Sequence, residues 1–102
     1  MIIFNTTFLV EDDILDNYIR FMKETYIATA SDSGFLHEPR FCRIHSQHEE
    51  SGSSYSLQFR VKNIDTLNHW FATEGQALQT ELTARFGNKA LGFVTILEEI
   101  EL

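Results

Sequence analysis

Cysteine and proline each occur once, as Cys42 and Pro39, and basic residues are scarce. Eight Lys plus Arg stand against fifteen Asp plus Glu, for a formal net charge of −7. Each shortage excludes something. A single cysteine cannot form an internal disulfide framework, which fits a reducing cytoplasm. A polyanionic backbone needs a basic surface, so nucleic acid is not expected as a partner. The same deficit argues against an anionic membrane surface. No apolar run approaches the ~18 residues of a membrane-spanning helix. No basic residue precedes Arg20, so the charged start of a signal peptide is missing. With no proline-rich linker and no low-complexity tract, residues 1–102 read as one domain.

What is present is enough apolar material for a core. Hydrophobic residues make up 43% and aromatics 13%, including nine Phe. That balance describes a folded globular chain. Residues 2–10 (IIFNTTFLV) are rich in strand formers and predict the first strand. Glu11, Asp12, Asp13 and Asp16 then place carboxylates where a helix begins, with Asp12 as N-cap. Leu15, Ile19, Met22, Tyr26 and Ala30 recur at helical spacing, flanked by Ile14, Tyr18 and Phe21. Gly34 ends that helix. Residues 40–49 and 54–62 predict a hairpin turned at Ser51-Gly52, because Tyr55, Leu57, Phe59 and Val61 alternate with polar residues. Asn63 or Asp65 starts a second helix, with Leu67, Phe71, Leu78, Leu82 and Phe86 as its seam and Trp70 beside it. Gly75 falls in that seam, as a point of close packing, a kink or a hinge. Residues 91–97 are the last strand.

The order βαββαβ is the ferredoxin-like α+β layout: a four-stranded antiparallel sheet, two helices on one face, first and third strands central. The alternation then sorts side chains. Phe4, Phe8, Cys42, Ile44, Leu57, Phe59, Val61, Val94 and Ile96 should face the helices. Ile3, Asn5, Thr7, Leu9, Phe41, Arg43, His45, Gln47, Ser56, Gln58, Arg60, Phe93, Thr95 and Leu97 should face away. A lone subunit would leave Ile3, Leu9, Phe41, Phe93 and Leu97 in water, so a homodimer stacked through this open face is expected. Asn5, Thr7, His45, Gln58 and Arg60 would line a space between the sheets. A two-residue turn sets His45 opposite Gln58, Ile44 opposite Phe59 and Arg43 opposite Arg60. Like charges across a strand pair need an anion. Either Glu99 or Glu101 of a partner chain supplies it, or the two guanidinium groups grip a ligand's carboxylate or phosphate.

Sharper motifs are missing. No G-x-G-x-x-G, P-loop, H-E-x-x-H or paired C-x-x-C occurs, and neither a metal nor a cofactor is implied. His45 and His48 lie on opposite faces of a strand, so they are poor co-ligands. His48-Glu49-Glu50 reads as a solvated turn. Trp70 reads as core and its neighbour His69 as surface, while His37 carries no pattern. Cys42, placed in the helix-covered core, is a small apolar residue rather than a nucleophile. His45 is the candidate general base, set against the plainer role of a hydrogen-bonded interface histidine.

The segments Asn5-Thr6-Thr7-Phe8, Cys42-Arg43-Ile44, Tyr55-Ser56-Leu57-Gln58-Phe59, Arg85-Phe86-Gly87 and Gly92-Phe93-Val94-Thr95 resemble a small bacterial family of about this length, known only as a domain of unknown function. The wider layout is similar to the dimeric α/β-barrel superfamily. That resemblance implies a range from cofactor-free monooxygenases through haem-degrading enzymes to non-catalytic ligand-binding regulators. Asn5, Trp70 and His69 are residue types used by the haem-degrading members, but they do not align to that motif, and no catalytic residue is carried over. Fold alone does not transfer function. Three readings follow, in this order: a homodimeric binding domain for an acidic or aromatic small molecule, a protein-interaction module, and a cofactor-free monooxygenase- or isomerase-like enzyme using His45.

Overall fold

In the computed structural model, which describes residues 1–45 and 52–102, four strands form one sheet in the order β2-β3-β1-β4. The strands are β1 (Ile2–Val10), β2 (His37–Ile44), β3 (Ser53–Val61) and β4 (Ala90–Glu98). All three pairings are antiparallel. Helix α1 is entered through a 3-10 turn at Asp12–Ile14 and runs as Leu15–Phe21, a π-helical turn Met22–Tyr26, and Ile27–Asp32. Helix α2 repeats that construction: Ile64–Trp70, a π-helical turn Phe71–Gly75, and Gln76–Phe86. The architecture is ferredoxin-like α+β, as the element order predicts.

The ends of the helices follow ordinary capping chemistry. Asn63 caps α2, its side-chain oxygen accepting from Thr66 N at 2.8 Å, which decides between Asn63 and Asp65 as the start. Asp12 does not cap α1. It lies inside the 3-10 turn behind Glu11, and that turn has no side-chain cap. Gly34 and Gly87, both at positive φ, follow the helix ends.

The core lies between the sheet and the helices. From β1, Ile2, Phe4, Phe8 and Val10 point into it, and from β3, Tyr55, Leu57, Phe59 and Val61. The helices contribute Tyr18, Phe21, Met22, Tyr26 and Ala30 from α1, and Leu67, Trp70, Leu78 and Leu82 from α2. At one end the rings of Phe8, Phe41, Tyr55 and Phe86 surround Tyr18 with centroids 5.7–6.2 Å away. Edge and tilted contacts of this kind add to plain burial.

The β2 register differs from the sequence expectation. Gln58 pairs with Arg40, five positions before His45, and Arg43 pairs with Tyr55 rather than Arg60. Ile44 pairs with Ser54 instead of Phe59. Among the described residues β2 ends at Ile44 and β3 begins at Ser53, and the expected two-residue turn lies partly outside them. Gly52 takes the positive φ that a turn requires, at 86°. Ser51, and with it Gln47 and His48-Glu49-Glu50, lie outside the described residues. A further irregularity falls between His37 and Arg40, where Glu38 sits at φ 52 before Pro39.

An odd register shift moves every side chain to the other face. Phe41 and Arg43 therefore lie on the helix side of the sheet, Phe41 stacking on Tyr55 at 5.5 Å. Cys42 and Ile44 lie on the open side, and Cys42 is exposed rather than buried under the helices. The faces of β1, β3 and β4 are as the alternation predicts.

Candidate functional site

A candidate place lies on each side of the sheet. On the open side, the register stacks four cross-strand rows. One runs His37, Arg60, Ile3, Leu97. The next runs Arg40, Gln58, Asn5, Thr95, followed by Cys42, Ser56, Thr7, Phe93 and then Ile44, Ser54, Leu9, Leu91. The face is therefore graded. Its β4 side is apolar, with Leu9, Leu91, Phe93 and Leu97 each 44–55% exposed. Its centre is polar and internally bonded: Ser56 donates to Asn5 Oδ1 at 2.6 Å, and Asn5 Nδ2 donates to Thr7 Oγ1 at 3.2 Å. Its β2 side is charged.

The six residues singled out from sequence divide accordingly. Asn5, Thr7, Gln58 and Arg60 share the open face. Arg43 stands on the other side of the sheet, where Nη2 lies 3.5 Å from Ser53 Oγ. His45 follows the last residue of β2 and is exposed. Arg60 does not face Arg43. Its guanidinium is bracketed by Glu38, 3.2 Å from Nη1, and by Glu99 of the same chain, 2.9 Å from Nη2. The hydrogen bond to Glu38, followed by the charge of Glu99, holds the guanidinium above its ordinary pKa. A shallow depression of about 310 Å³ lies here, between Arg40, Gln58 and Ile3.

The larger space is under the helices, a cleft of about 540 Å³ between β4 and α2. It exists because β4 is an edge strand that α2 covers only in part. Val94 and Ile96 point to the helix side yet remain 50% and 46% exposed. Phe4 and Thr6 of β1 line the cleft with Gly92 and Val94 of β4. From α2 come Trp70 and the π-helical residues Phe71, Ala72 and Gly75. Single π turns often mark functional sites in helices. Phe4, Trp70 and Phe71 form a triangle of rings with centroids 5.0–5.7 Å apart. Tyr26, the last residue of the π turn in α1, also lines the space, and Asn68, Gln76 and Gln79 give it an amide fringe. Burial pushes the Tyr26 phenol up to about 12. The Trp70 indole N–H is buried with no acceptor among the described residues.

Sequence reasoning placed Trp70 and Phe71 in the core and missed the cleft. The signal that could have found it is the pair of glycines, Gly75 in the helix seam and Gly92 in the last strand. Each stands where neighbouring side chains, Trp70 and Phe71 at one and Phe8 and Thr6 at the other, come too close for a Cβ to fit without something giving way. Among the described residues no cluster of His, Cys, Asp and Glu could hold a metal ion. No helix of the described residues is long and apolar enough to cross a membrane.

Solved structures share this fold at low sequence identity. An ethyl tert-butyl ether D (EthD) family protein from Bacillus halodurans superposes with a TM-score of 0.74 at 18% identity, covering 98% of this chain and 100% of its own. A putative antibiotic biosynthesis monooxygenase from Deinococcus radiodurans gives 0.70 at 12%, covering 100% and 95%. A dimeric ferredoxin-like protein from an uncultured marine organism gives 0.51 at 12%, covering 99% and 100%. These likenesses establish the fold and nothing finer. No curated protein sequence matches the chain. Over residues 1–100 the sequence fits one family model, and the chain accordingly belongs to the family described as domain of unknown function (DUF4286).

Proposed function

We propose that this protein is a homodimeric binding protein for a small apolar or aromatic molecule, with the ligand held in the cleft between β4 and α2. The observation that carries the reading is the cleft itself: about 540 Å³, walled by three rings and edged by carboxamides. That volume and lining are those of ordinary small-molecule sites. The open sheet face supports the dimer. Leu9, Leu91, Phe93 and Leu97 form one exposed apolar stripe, and a second copy of the chain can cover it by two-fold stacking. Asn5, Thr7 and Gln58 then become the polar floor of that interface, and Arg60 with its two carboxylates becomes its rim.

An enzyme that abstracts protons fits the cleft less well, although a protein named as a putative monooxygenase shares the fold. Among the described residues the titratable group lining the cleft is Tyr26, whose phenol is held far from neutrality. A general base works best with a pKa near the working pH. His45 is not among the residues lining the cleft.

Native mass spectrometry of untagged protein tests both halves of the reading. The expected spectrum shows twice the subunit mass plus a small adduct that is lost on denaturation. A bare monomer at micromolar concentration would count against dimer and ligand alike.

A further inference from the structure

We infer that the cleft selects an uncharged ligand, and that two glycines lining it, Gly75 on α2 and Gly92 on β4, set the size of ligand it admits. This rests on the binding reading above and names the ligand's class.

The charge argument is one of lining. No Lys, Arg, His, Asp or Glu is among the described residues that line the cleft. A carboxylate or ammonium entering it would lose hydration and meet no counter-charge. Asn68, Gln76 and Gln79 offer both donors and acceptors, which match neutral amide, carbonyl or hydroxyl groups. An acidic group, one of the ligand features expected from the sequence, would find no cation here, and the register separates Arg43 from Arg60.

The size argument concerns room rather than backbone freedom. Gly75 sits at φ −63°, and Gly92 is not among the glycines at positive φ, so any residue could adopt either backbone. What a side chain lacks is space. A Cβ on Gly75 would stand 2.8 Å from Trp70 Cζ3 and 3.2 Å from Phe71 Cδ1, and both rings are walls of the cleft. A Cβ on Gly92 would stand 3.1 Å from Phe8 Cε1 and 3.3 Å from Thr6 Cγ2. A methyl at either position moves a wall or takes up floor.

Trp70 is the single tryptophan, so its indole resonance reports the cleft without assignment ambiguity. Titration of ¹⁵N-labelled protein at neutral pH with 2-naphthamide, its charged isostere 2-naphthoate, and benzamide reads both parts. The amide should shift that resonance and bind at least about tenfold more tightly than the carboxylate. Gly75→Ala, or the milder Gly92→Ala, should weaken naphthamide about tenfold while leaving benzamide within about threefold. Equal affinity of wild type for amide and carboxylate overturns the charge argument with no variant required. An unchanged naphthamide-to-benzamide ratio in a folded variant overturns the glycine argument. If none of the probes moves the Trp70 resonance, the cleft is not a ligand site, or the partner subunit fills it, and the binding reading falls with it.

Discussion

Arg60 Nη2 lies 2.9 Å from Glu99 Oε1 while Nη1 of the same guanidinium lies 3.2 Å from Glu38 Oε2. The two acids come from opposite edges of the sheet, Glu38 from the irregular start of β2 and Glu99 from just beyond β4. One side chain on β3 therefore ties both edges across the open face. All three side chains are well exposed, 39–64%, so solvent and salt screen the ties strongly. Arg60→Gln should lower thermal stability only slightly, and the difference should vanish at high salt. A loss that survives high salt would mean that Arg60 does something other than hold Glu38 and Glu99. Melting curves at low and high ionic strength decide it.

Phe93 is 55% exposed at the centre of the apolar stripe, so a charge there has little to disturb within one subunit. Phe93→Glu should leave the melting temperature of the isolated subunit nearly unchanged and shift the chain from dimer to monomer. Sedimentation at micromolar concentration reads the change. A variant that stays dimeric would place the subunit contact elsewhere.

Tyr18 and Tyr26 bring alkaline sensitivity. Burial raises both phenols, that of Tyr26 to about 12 and that of Tyr18 further. In the unfolded chain both ionise near the ordinary value of about 10. The folded state thus binds protons that the unfolded state releases, so stability is full below about pH 10 and declines as pH rises beyond it. The Tyr18 hydroxyl has no partner among the described residues. Tyr18→Phe should therefore cost no stability at pH 7, or gain up to about 1 kcal/mol, and should flatten the alkaline decline. Urea unfolding at pH 7 and pH 11 measures both, and a destabilised variant at pH 7 would reveal an acceptor for that hydroxyl.

Gly75→Ala opposes two effects. Alanine favours a helix by about 1 kcal/mol over glycine. Overpacking against Trp70, only 2.8 Å from the new carbon, costs roughly 1–3 kcal/mol. The sum should be a net loss of about 1 kcal/mol, readable by urea denaturation. A more stable variant would show that the indole moves aside freely.

Asn63→Ala removes the oxygen that holds Thr66 N at 2.8 Å. An N-cap of this kind contributes about 1 kcal/mol, and a loss of that size in urea unfolding is expected, with Asp65→Ala costing less.

The element order, the two central strands and the faces of β1, β3 and β4 were legible in the residues. On β3, Tyr55, Leu57, Phe59 and Val61 fall on one face and polar residues on the other, so only one phase buries the apolar set. β2 carries no such instruction. Phe41 and Arg43 share one face, Cys42 and Ile44 the other, so each face holds an apolar residue beside a polar or small one. Either phase then buries about as much. The observed phase comes with an irregularity at Glu38-Pro39, which alternation along the chain does not encode. That one phase separated Arg43 from Arg60 and His45 from Gln58.

By itself, then, the sequence determined the element order, the layering and a bare sheet face that carries exposed apolar residues. Alternation and helical period act between neighbours in the chain and can be counted. Tertiary structure alone decided where a cavity opens. It depends on how far α2 reaches over β4, on the π turn at Phe71–Gly75, and on the close approach of Gly75 to Trp70 and of Gly92 to Phe8. Those are distances between elements remote in sequence, and no periodicity reports them.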